Sequence, residues 1–149
     1  MIFREAQKDD IKQLMEVRLA VKENTLSNPS LVTEADYYNY LFNRGKGWVC
    51  MVQDRVAGFS IVDLTEKNVW ALFVHPDFAA KGIGKKLHDC MLHWYFGQEQ
   101  DDIWLGTTPN TRAAKFYALQ GWKETGLHGT KEIKFELSFK DWKIRQAGS

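Results

Sequence analysis

The sequence contains few of the residues that mark secreted, metal-binding or membrane proteins. Its 149 residues include two cysteines and three prolines. Two cysteines are too few for a disulfide framework, and the spacing of Cys50 and Cys90 is not that of metal ligands. This cysteine content fits a reducing cytoplasm. No apolar run is long enough to cross a membrane, and residues 1–5 do not begin a signal-peptide profile. We therefore expect a cytoplasmic protein with no metal and no membrane partner.

Positive and negative side chains nearly balance, which gives a formal net charge of +1. Because no basic cluster stands out, the sequence gives no reason to expect nucleic acid as a partner. Hydrophobic residues make up 44% and charged residues 26%, a composition typical of a globular protein. The length suits one folded domain, which we place at residues 1–140, followed by a polar C-terminal tail at residues 141–149.

Hydrophobic periodicity predicts about seven strands and four helices. Asp9 or Asp10 is expected to cap the first helix, with Gln13 completing a capping box, and Thr33 with Asp36 to cap the second. A hairpin is expected to turn at Asp54-Arg55, and a short helix to begin at Pro109-Asn110. The inner face of the first helix is predicted to contain four apolar residues: Ile11, Leu14, Met15 and Leu19.

The most informative stretch lies at residues 69–94. Val69 to Val74 forms a buried-strand pattern, and from Ile83 the apolar residues recur at helical spacing. Gly82 and Gly84 lie at the start of that helix, where backbone N–H groups and the helix dipole attract an anion. The three lysines around it are Lys81, Lys85 and Lys86. The pattern predicts a site for pyrophosphate.

A pair of glycines at a helix start is not specific by itself. Glycines that merely allow close packing at that point would look the same. Two nucleotide-binding motifs fit poorly. A Walker site requires Ser or Thr after the lysine, but Lys86 follows Lys85 here, and the dinucleotide fingerprint requires a small residue where Leu87 stands.

Two segments together resemble the GCN5-related N-acetyltransferase (GNAT) family. Residues 74–84, Val-His-Pro-Asp-Phe-Ala-Ala-Lys-Gly-Ile-Gly, resemble its acyl-CoA motif, except that Ala79 replaces the usual Arg or Gln. Residues 110–122, Asn-Thr-Arg-Ala-Ala-Lys-Phe-Tyr-Ala-Leu-Gln-Gly-Trp, resemble its later motif, with Trp122 in place of Phe. The order and spacing of two motifs make the resemblance far more specific than either motif alone.

The resemblance implies one GNAT-type α/β domain with a mixed, mostly antiparallel sheet splayed at a central V, between the strands that end at Val74 and Thr107. Acetyl-CoA is the implied co-substrate. A backbone N–H near Phe73 or Val74 is the implied donor to the thioester oxygen. The residues implied to bind acetyl-CoA are Phe73, Val74, Ala79, Ala80, Lys81, Gly82, Ile83, Gly84, Lys85 and Asn110.

Tyr117 stands where the family keeps its general acid. A phenol with a pKa of about 10 is protonated at neutral pH and can donate to the leaving thiolate. On the residues alone, Tyr117 is better explained as a packed aromatic, and Asn110 as a helix cap. The matching motif favours the functional roles.

For the acceptor site, the resemblance points to Arg18, Glu23, Asn24, Tyr37 and Trp70. Glu23 suits a cationic amine and Arg18 a carboxylate, although exposed helix residues would look the same. No carboxylate lies in the central strand to act as general base. Asp63 and Glu66 fit solvated surface charges, His128 is placed in a late loop that could border the acceptor, and a water relay is an equal alternative.

The function that follows is transfer of an acetyl group to a primary amine of a small molecule or peptide by direct attack. The alternative is a non-catalytic acyl-CoA-binding sensor, which needs the glycine site but not Tyr117. The residues leave open the identity of the amine, the acyl chain length, and whether the protein forms a homodimer.

Overall fold

The chain folds as two compact units, each built on antiparallel strands. The computed structural model describes residues 1–21 and 32–148. The first unit covers Met1–Tyr95 and the second begins at Phe96. Both contain helices as well as strands, which confirms the predicted α/β class. The described ranges contain the seven strands expected and five α-helices, one more than predicted.

The first unit contains a four-stranded antiparallel sheet in the order β1-β2-β3-β4. Its strands are β1 (Ile2–Glu5), β2 (Gly45–Val52), β3 (Arg55–Asp63) and β4 (Asn68–Val74). The β2–β3 turn lies at Gln53 and Asp54, one residue earlier than predicted. Both residues have positive φ, 52° and 63°, and such turns match the twist of a hairpin.

Three helices belong to the first unit. They are α1 (Ile11–Ala20), α2 (Glu34–Tyr38) and α3 (Ile83–Gln98), whose last residues enter the second unit. The cap of α2 is confirmed: the Asp36 N–H donates to Thr33 Oγ1 at 3.2 Å and the Thr33 N–H to Asp36 Oδ2 at 2.8 Å. From Asn39 to Arg44 the chain continues as a π-helix, a conformation that often occurs at functional sites.

The predicted start of α1 is confirmed, with Asp10 at the N-cap position, but the predicted capping hydrogen bonds are wrong. A 3₁₀ turn over Lys8–Asp10 precedes the helix, and Asp10 accepts from the Gln7 N–H at 2.7 Å instead of capping α1. Gln13 accepts from the Val56 N–H at 2.9 Å. Its amide therefore supports the start of β3.

The predicted inner face of α1 is only partly correct. Ile11 and Leu14 are buried, but the third fully buried position is Val17, and Leu19 is 60% exposed. The face follows spacings of three residues from Ile11 to Val17. Met15, also predicted to face inward, is half-buried and packs against the core. Only Leu19 of the four predicted residues lies in solvent.

A β-bulge interrupts the pairing of β3 with β4. Ile61 pairs with Ala71 and Val62 with Val69, so Trp70 is the extra residue. Buried and half-buried side chains still alternate along β4. Ala71 and Phe73 belong to the core beneath α1, and Trp70 packs against the same core.

The helix α3 approaches the sheet closely at Gly58. A Cβ built there would lie 2.9 Å from the Phe73 carbonyl oxygen and 3.2 Å from the side chains of Ile83 and Leu87. The side chains of Ile83, Leu87 and Met91 are fully buried, as predicted for the inner face of this helix. Gly58 thus fixes the start of α3 against the end of β4.

The second unit contains three antiparallel strands in the order β5-β7-β6. They are β5 (Ile103–Thr107), β6 (Lys123–His128) and β7 (Glu132–Leu137), with the helices α4 (Arg112–Leu119) and α5 (Phe139–Ala147). Helix α5 replaces most of the polar tail expected at residues 141–149. It forms because Ser138 caps it through the Asp141 N–H (3.0 Å), and because Trp142 stacks on Phe96 at 5.0 Å between ring centroids.

Candidate functional site

The loop between β4 and α3 has the backbone geometry of an anion site. Gly82 has a φ of 77° and Ala80 one of 61°, so the chain passes twice through the left-handed region before α3 begins. The Gly82 carbonyl accepts the first helical hydrogen bond, from the Lys86 N–H at 3.2 Å. The N–H groups of the intervening residues precede the helical ladder, and such groups are the donors that bind an anion at a helix start.

The two glycines of this loop are not required by packing within the protein. A Cβ at Gly82 would meet nothing within 4 Å, and one at Gly84 would meet only Val74 Cγ2 at 3.6 Å, an ordinary contact. The positive φ explains the glycine at position 82. At Gly84 no atom of the described residues excludes a methyl group. Packing alone therefore does not account for this Gly-x-Gly.

The lysines around the loop differ from one another. Lys81 is exposed, whereas Lys85 Nζ donates to Asp89 Oδ2 at 2.9 Å. Burial raises the pKa of Asp89, but its hydrogen bonds with His88 and Lys85 outweigh that effect and lower it. The Lys86 ammonium lies 5.0 Å from the centroid of the Phe3 ring on β1. Of the three lysines predicted at the helix start, Lys86 therefore extends toward β1.

The segment containing Ala79 is held by backbone and by His75. His75 Nδ1 accepts from the Asp77 N–H at 3.1 Å, and the Ala79 N–H donates to the Pro76 carbonyl at 3.2 Å. His75 thus has a structural role in this loop. Because Ala79 has no polar side chain, its position offers an anion only main-chain groups.

Phe73 and Val74 end β4 beside this loop. Phe73 is 6% exposed and its ring lies 5.7 Å from that of Phe59. The next residue, His75, donates its N–H to the Ala57 carbonyl at 2.8 Å. The end of β4 is thus fixed to β3 just before the loop begins.

Next to Phe73, four of the first unit's residues form what we call the aromatic–arginine cluster: Arg18, Tyr37, Tyr40 and Trp70. Tyr40 stacks on Trp70 at 4.2 Å with 13° between the rings, and Tyr37 meets Trp70 edge-on at 5.1 Å. Arg18 Cζ lies 5.6 Å from the centroid of the Trp70 ring. The structure thus brings together three predicted acceptor-site residues, while Glu23 and Asn24 lie outside the described residues.

Asp63 is not the solvated surface charge that the sequence suggested. Its side chain is 1% exposed and binds the Arg44 guanidinium through both oxygens, at 3.2 Å to Nε and 2.7 Å to Nη2. The Thr65 N–H adds a third hydrogen bond at 2.9 Å. Fully engaged in this way, Asp63 is unsuited to act as a general base. Glu66 is exposed, as expected.

In the second unit, Tyr117 lies on α4 among aromatic rings. Trp122 is 5.5 Å and Phe116 5.4 Å from its ring, both nearly perpendicular to it. Tyr117 is 6% exposed, and burial raises the pKa of its phenol well above the usual value. The phenol is therefore protonated throughout the physiological range.

The residue that caps α4 is Thr111, not Asn110. Thr111 Oγ1 accepts from the Ala114 N–H at 3.2 Å, so the alternative of a helix cap at Asn110 does not hold. Asn110 is exposed and has a φ of 63°. Asparagine tolerates this conformation better than most residues. His128 ends β6 with its ring 4.9 Å from Trp104.

Neither a metal site nor a membrane span is found in the part of the chain that the structure describes. Residues 1–21 and 32–148 contain no group of three His, Cys, Asp or Glu side chains placed to hold a metal ion. Over the same ranges, no helix combines the length and the apolar character that crossing a bilayer requires.

Comparison with known proteins supports the resemblance seen in the motifs. Residues 12–122 match the sequence profile described as the acetyltransferase (GNAT) family. A protein of Archaeoglobus fulgidus described as an uncharacterized N-acetyltransferase is 28% identical over 136 residues, which cover 80% of this chain and 91% of that protein.

Solved structures show the same fold. PaiA N-acetyltransferase from Thermoplasma acidophilum, in complex with coenzyme A, has a TM-score of 0.80 at 14% identity, covering 92% of this chain and 98% of that one. Ribosomal-protein-alanine N-acetyltransferase from Brucella melitensis has a TM-score of 0.73 at 18% identity, covering 93% and 99%. With the family profile matching most of its length, the chain belongs to the GNAT family and is an acyl-CoA-dependent acetyltransferase.

Proposed function

We propose that the protein transfers the acetyl group of acetyl-CoA to a primary amine by direct attack, with Tyr117 as general acid. The observation that carries the proposal is the start of α3, where Gly84 leaves space that no protein atom requires. The family membership supports acyl-CoA as the group that fills it, and the neighbour from Thermoplasma acidophilum contains coenzyme A.

The residues proposed to bind acetyl-CoA divide by the group that each offers. Backbone N–H groups of Lys81, Gly82, Ile83, Gly84 and Lys85 are proposed to bind the pyrophosphate, since Ala79 and Ala80 have no polar side chains. Phe73 and Val74 contribute main-chain groups for the thioester, and Asn110 an amide for the pantetheine arm. The gap between the strand ends at Val74 and Thr107 remains a prediction.

The proposed reaction requires one proton at the sulfur. The amine nitrogen bonds to the thioester carbon, the carbon–sulfur bond breaks, and the Tyr117 phenol donates its proton to the departing thiolate. Tyr117 suits this role because its phenol is protonated at neutral pH and can donate. Burial raises its pKa, which makes that proton harder to release to a thiolate. The proton released by the amine passes to water in this scheme, because Asp63 is already paired with Arg44.

The first test addresses the loop. Gly84→Ala adds a methyl group that the protein accommodates, and alanine stabilises a helix relative to glycine by about 1 kcal/mol. We expect unfolding at a higher temperature together with at least about tenfold weaker acetyl-CoA binding by calorimetry. Gly97→Ala is the matched control on the same helix, where an added Cβ also meets nothing within 4 Å. Equal affinity in the two variants would contradict the proposed site.

The second test addresses Tyr117. Tyr117→Phe should lower kcat by about 100-fold in an assay of thiol release with amines, while acetyl-CoA binding by calorimetry stays unchanged. Tyr38→Phe is the control, since Tyr38 is an exposed tyrosine on α2. Unchanged kcat would remove the general-acid role. Acetyl-CoA binding without thiol release for any amine would favour the sensor function instead.

A further inference from the structure

Arg18 holds a buried positive charge whose N–H groups lack acceptors in the described ranges. Its Nε and Nη1 atoms are inaccessible to solvent, and neither has a hydrogen-bond partner within residues 1–21 and 32–148. The guanidinium is held by its faces, with Cζ 4.9 Å from the centroid of Phe73 and 5.6 Å from that of Trp70. Because cation–π contacts leave the N–H edge of a guanidinium unused, the group remains able to bind an anion.

A second polar group in the aromatic–arginine cluster is in the same situation. The Tyr37 hydroxyl is buried, and no atom of the described ranges completes a hydrogen bond with it, although the Arg18 guanidinium is near enough to interact with it. Burial raises the pKa of Tyr37, and the nearby charge of Arg18 opposes part of that effect. The hydroxyl is therefore a neutral donor close to the guanidinium.

Two such groups are costly to leave without partners. A buried hydroxyl without a partner loses free energy relative to water, and an unpaired buried cation loses more. Fixed planar N–H groups beside one O–H donor fit the two oxygens of a carboxylate, which accept several hydrogen bonds at once. A cationic ligand would be repelled by the same arginine.

We propose that Arg18 and Tyr37 bind the carboxylate of the acceptor, which makes the acceptor a free amino acid. The inference rests on the proposed function, which places the acetyl group beside Phe73. Since Arg18 lies against Phe73, a carboxylate held by Arg18 leaves only a short distance to the reacting amine. Trp70, fixed by its stacking on Tyr40, forms an aromatic wall beside the acceptor.

The test compares acceptors that differ only in the carboxylate. For each standard amino acid, kcat/KM is measured by thiol release alongside its amide and its decarboxylated amine. For the best acceptor, we expect the acid to exceed the amide by about 10- to 100-fold, the range for hydrogen bonds to a charged group. Arg18→Gln should remove that preference by lowering the value for the acid and leaving the amide within about threefold. Tyr37→Phe should reduce the preference by a smaller factor.

Lys12→Gln is the matched control, because it removes an exposed cation from the same helix. Lys12→Gln should leave the preference for acids unchanged. Equal kcat/KM for acids and amides in the wild type would overturn the inference. Glu23 is the one carboxylate in the sequence of residues 22–31. A preference for acids over amides that appeared in Glu23→Gln but not in the wild type would mean that Arg18 is paired within the chain. That result would also overturn the inference.

Two further measurements separate this inference from the proposed function. Calorimetric titration with amino acids should show binding to the wild type and none to Arg18→Gln, and this readout does not depend on turnover. Binding without thiol release would keep the carboxylate site and reject the transfer. Thiol release without a preference for acids would keep the transfer and reject the carboxylate site. The unliganded Arg18→Gln variant should unfold at no lower temperature than the wild type, because it loses an unpaired charge.

Discussion

Two arginines of the first unit stack on aromatic rings in the same way but differ in what their N–H groups contact. Arg44 lies 4.9 Å from the Tyr40 ring and binds both oxygens of Asp63. Arg18 lies 4.9 Å from the Phe73 ring and has no acceptor for Nε or Nη1 within residues 1–21 and 32–148. Tyr40 and Trp70, stacked on each other, separate the two sites. The paired arginine stabilises the fold, and the other remains able to bind a ligand.

The largest effect is expected from removing the carboxylate of the paired site. Asp63→Ala should cause the largest loss in the free energy of unfolding, because the buried carboxylate accepts three hydrogen bonds, two of them from Arg44. The Arg44 guanidinium left behind is partly solvated. Urea denaturation measures the loss, and Arg18→Gln serves as comparison, with a change below about 1 kcal/mol. Equal losses in the two variants would show that both arginines are structural.

A smaller effect, with a defined pH dependence, is expected at a third arginine. Arg4 binds both oxygens of Asp10, at 2.8 and 2.9 Å. Burial raises the pKa of Asp10, but the hydrogen bonds from Arg4 and from the Gln7 N–H outweigh it, and the net shift is downward. The Asp10 carboxylate therefore stabilises the fold above its unfolded pKa of about 4, and this stabilisation is lost as pH falls through the lowered folded value.

Asp10→Asn should accordingly cost about 1–2 kcal/mol at pH 7, since Arg4 is one-third exposed and partly screened. The difference from the wild type should shrink as urea titrations are repeated toward pH 3. Asp9→Asn controls for the loss of a carboxylate in the same turn, because Asp9 is exposed. A difference that persists undiminished at low pH would rule out the ionic contribution.

The smallest effect is expected at the Tyr37 hydroxyl. Tyr37→Phe removes a buried group that has no partner in the described ranges and should change the free energy of unfolding by less than about 0.5 kcal/mol. Thr33→Ala, which removes a hydroxyl that does cap α2, should cost about 1 kcal/mol. A loss at Tyr37 as large as that at Thr33 would indicate an internal partner.

The same variant carries a prediction at alkaline pH. Burial raises the pKa of Tyr37 in the folded state, so the neutral phenol is favoured by the fold. Stability is then unaffected below the unfolded pKa of about 10 and falls as pH rises above it. Tyr37→Phe should reduce that alkaline loss, as measured by thermal unfolding between pH 9 and 11.

The sequence predicted those parts of the molecule that short-range chemistry determines. The strand before Pro76, the glycine loop and the cap formed by Thr33 and Asp36 each depend on residues close together in the chain. The capping box expected for α1 is wrong, because Gln13 contacts β3 and Asp10 binds Arg4. No local pattern reveals that choice of partner.

Features that depend on distant partners were not predictable from local patterns. Asp63 looks like any charge before a turn until Arg44, nineteen residues earlier, is placed beside it. Helix α5 was taken for a tail because its sequence is polar, and it is Trp142 on Phe96 that anchors it. Arg18 and Trp70 were named through the family resemblance, but the contact between them joins residues far apart in the chain.

The bulge in β4 has a consequence for variation among related enzymes. Trp70 is the one residue of β4 that has no opposite residue in the register with β3, so the strand pairing on either side is independent of it. A change of side chain at position 70 leaves the pairing of both flanking segments intact. The sheet pairing is therefore insensitive to substitution at the position that forms the wall of the proposed acceptor site, and the cost of such a change falls on the packing with Tyr37, Tyr40 and Arg18.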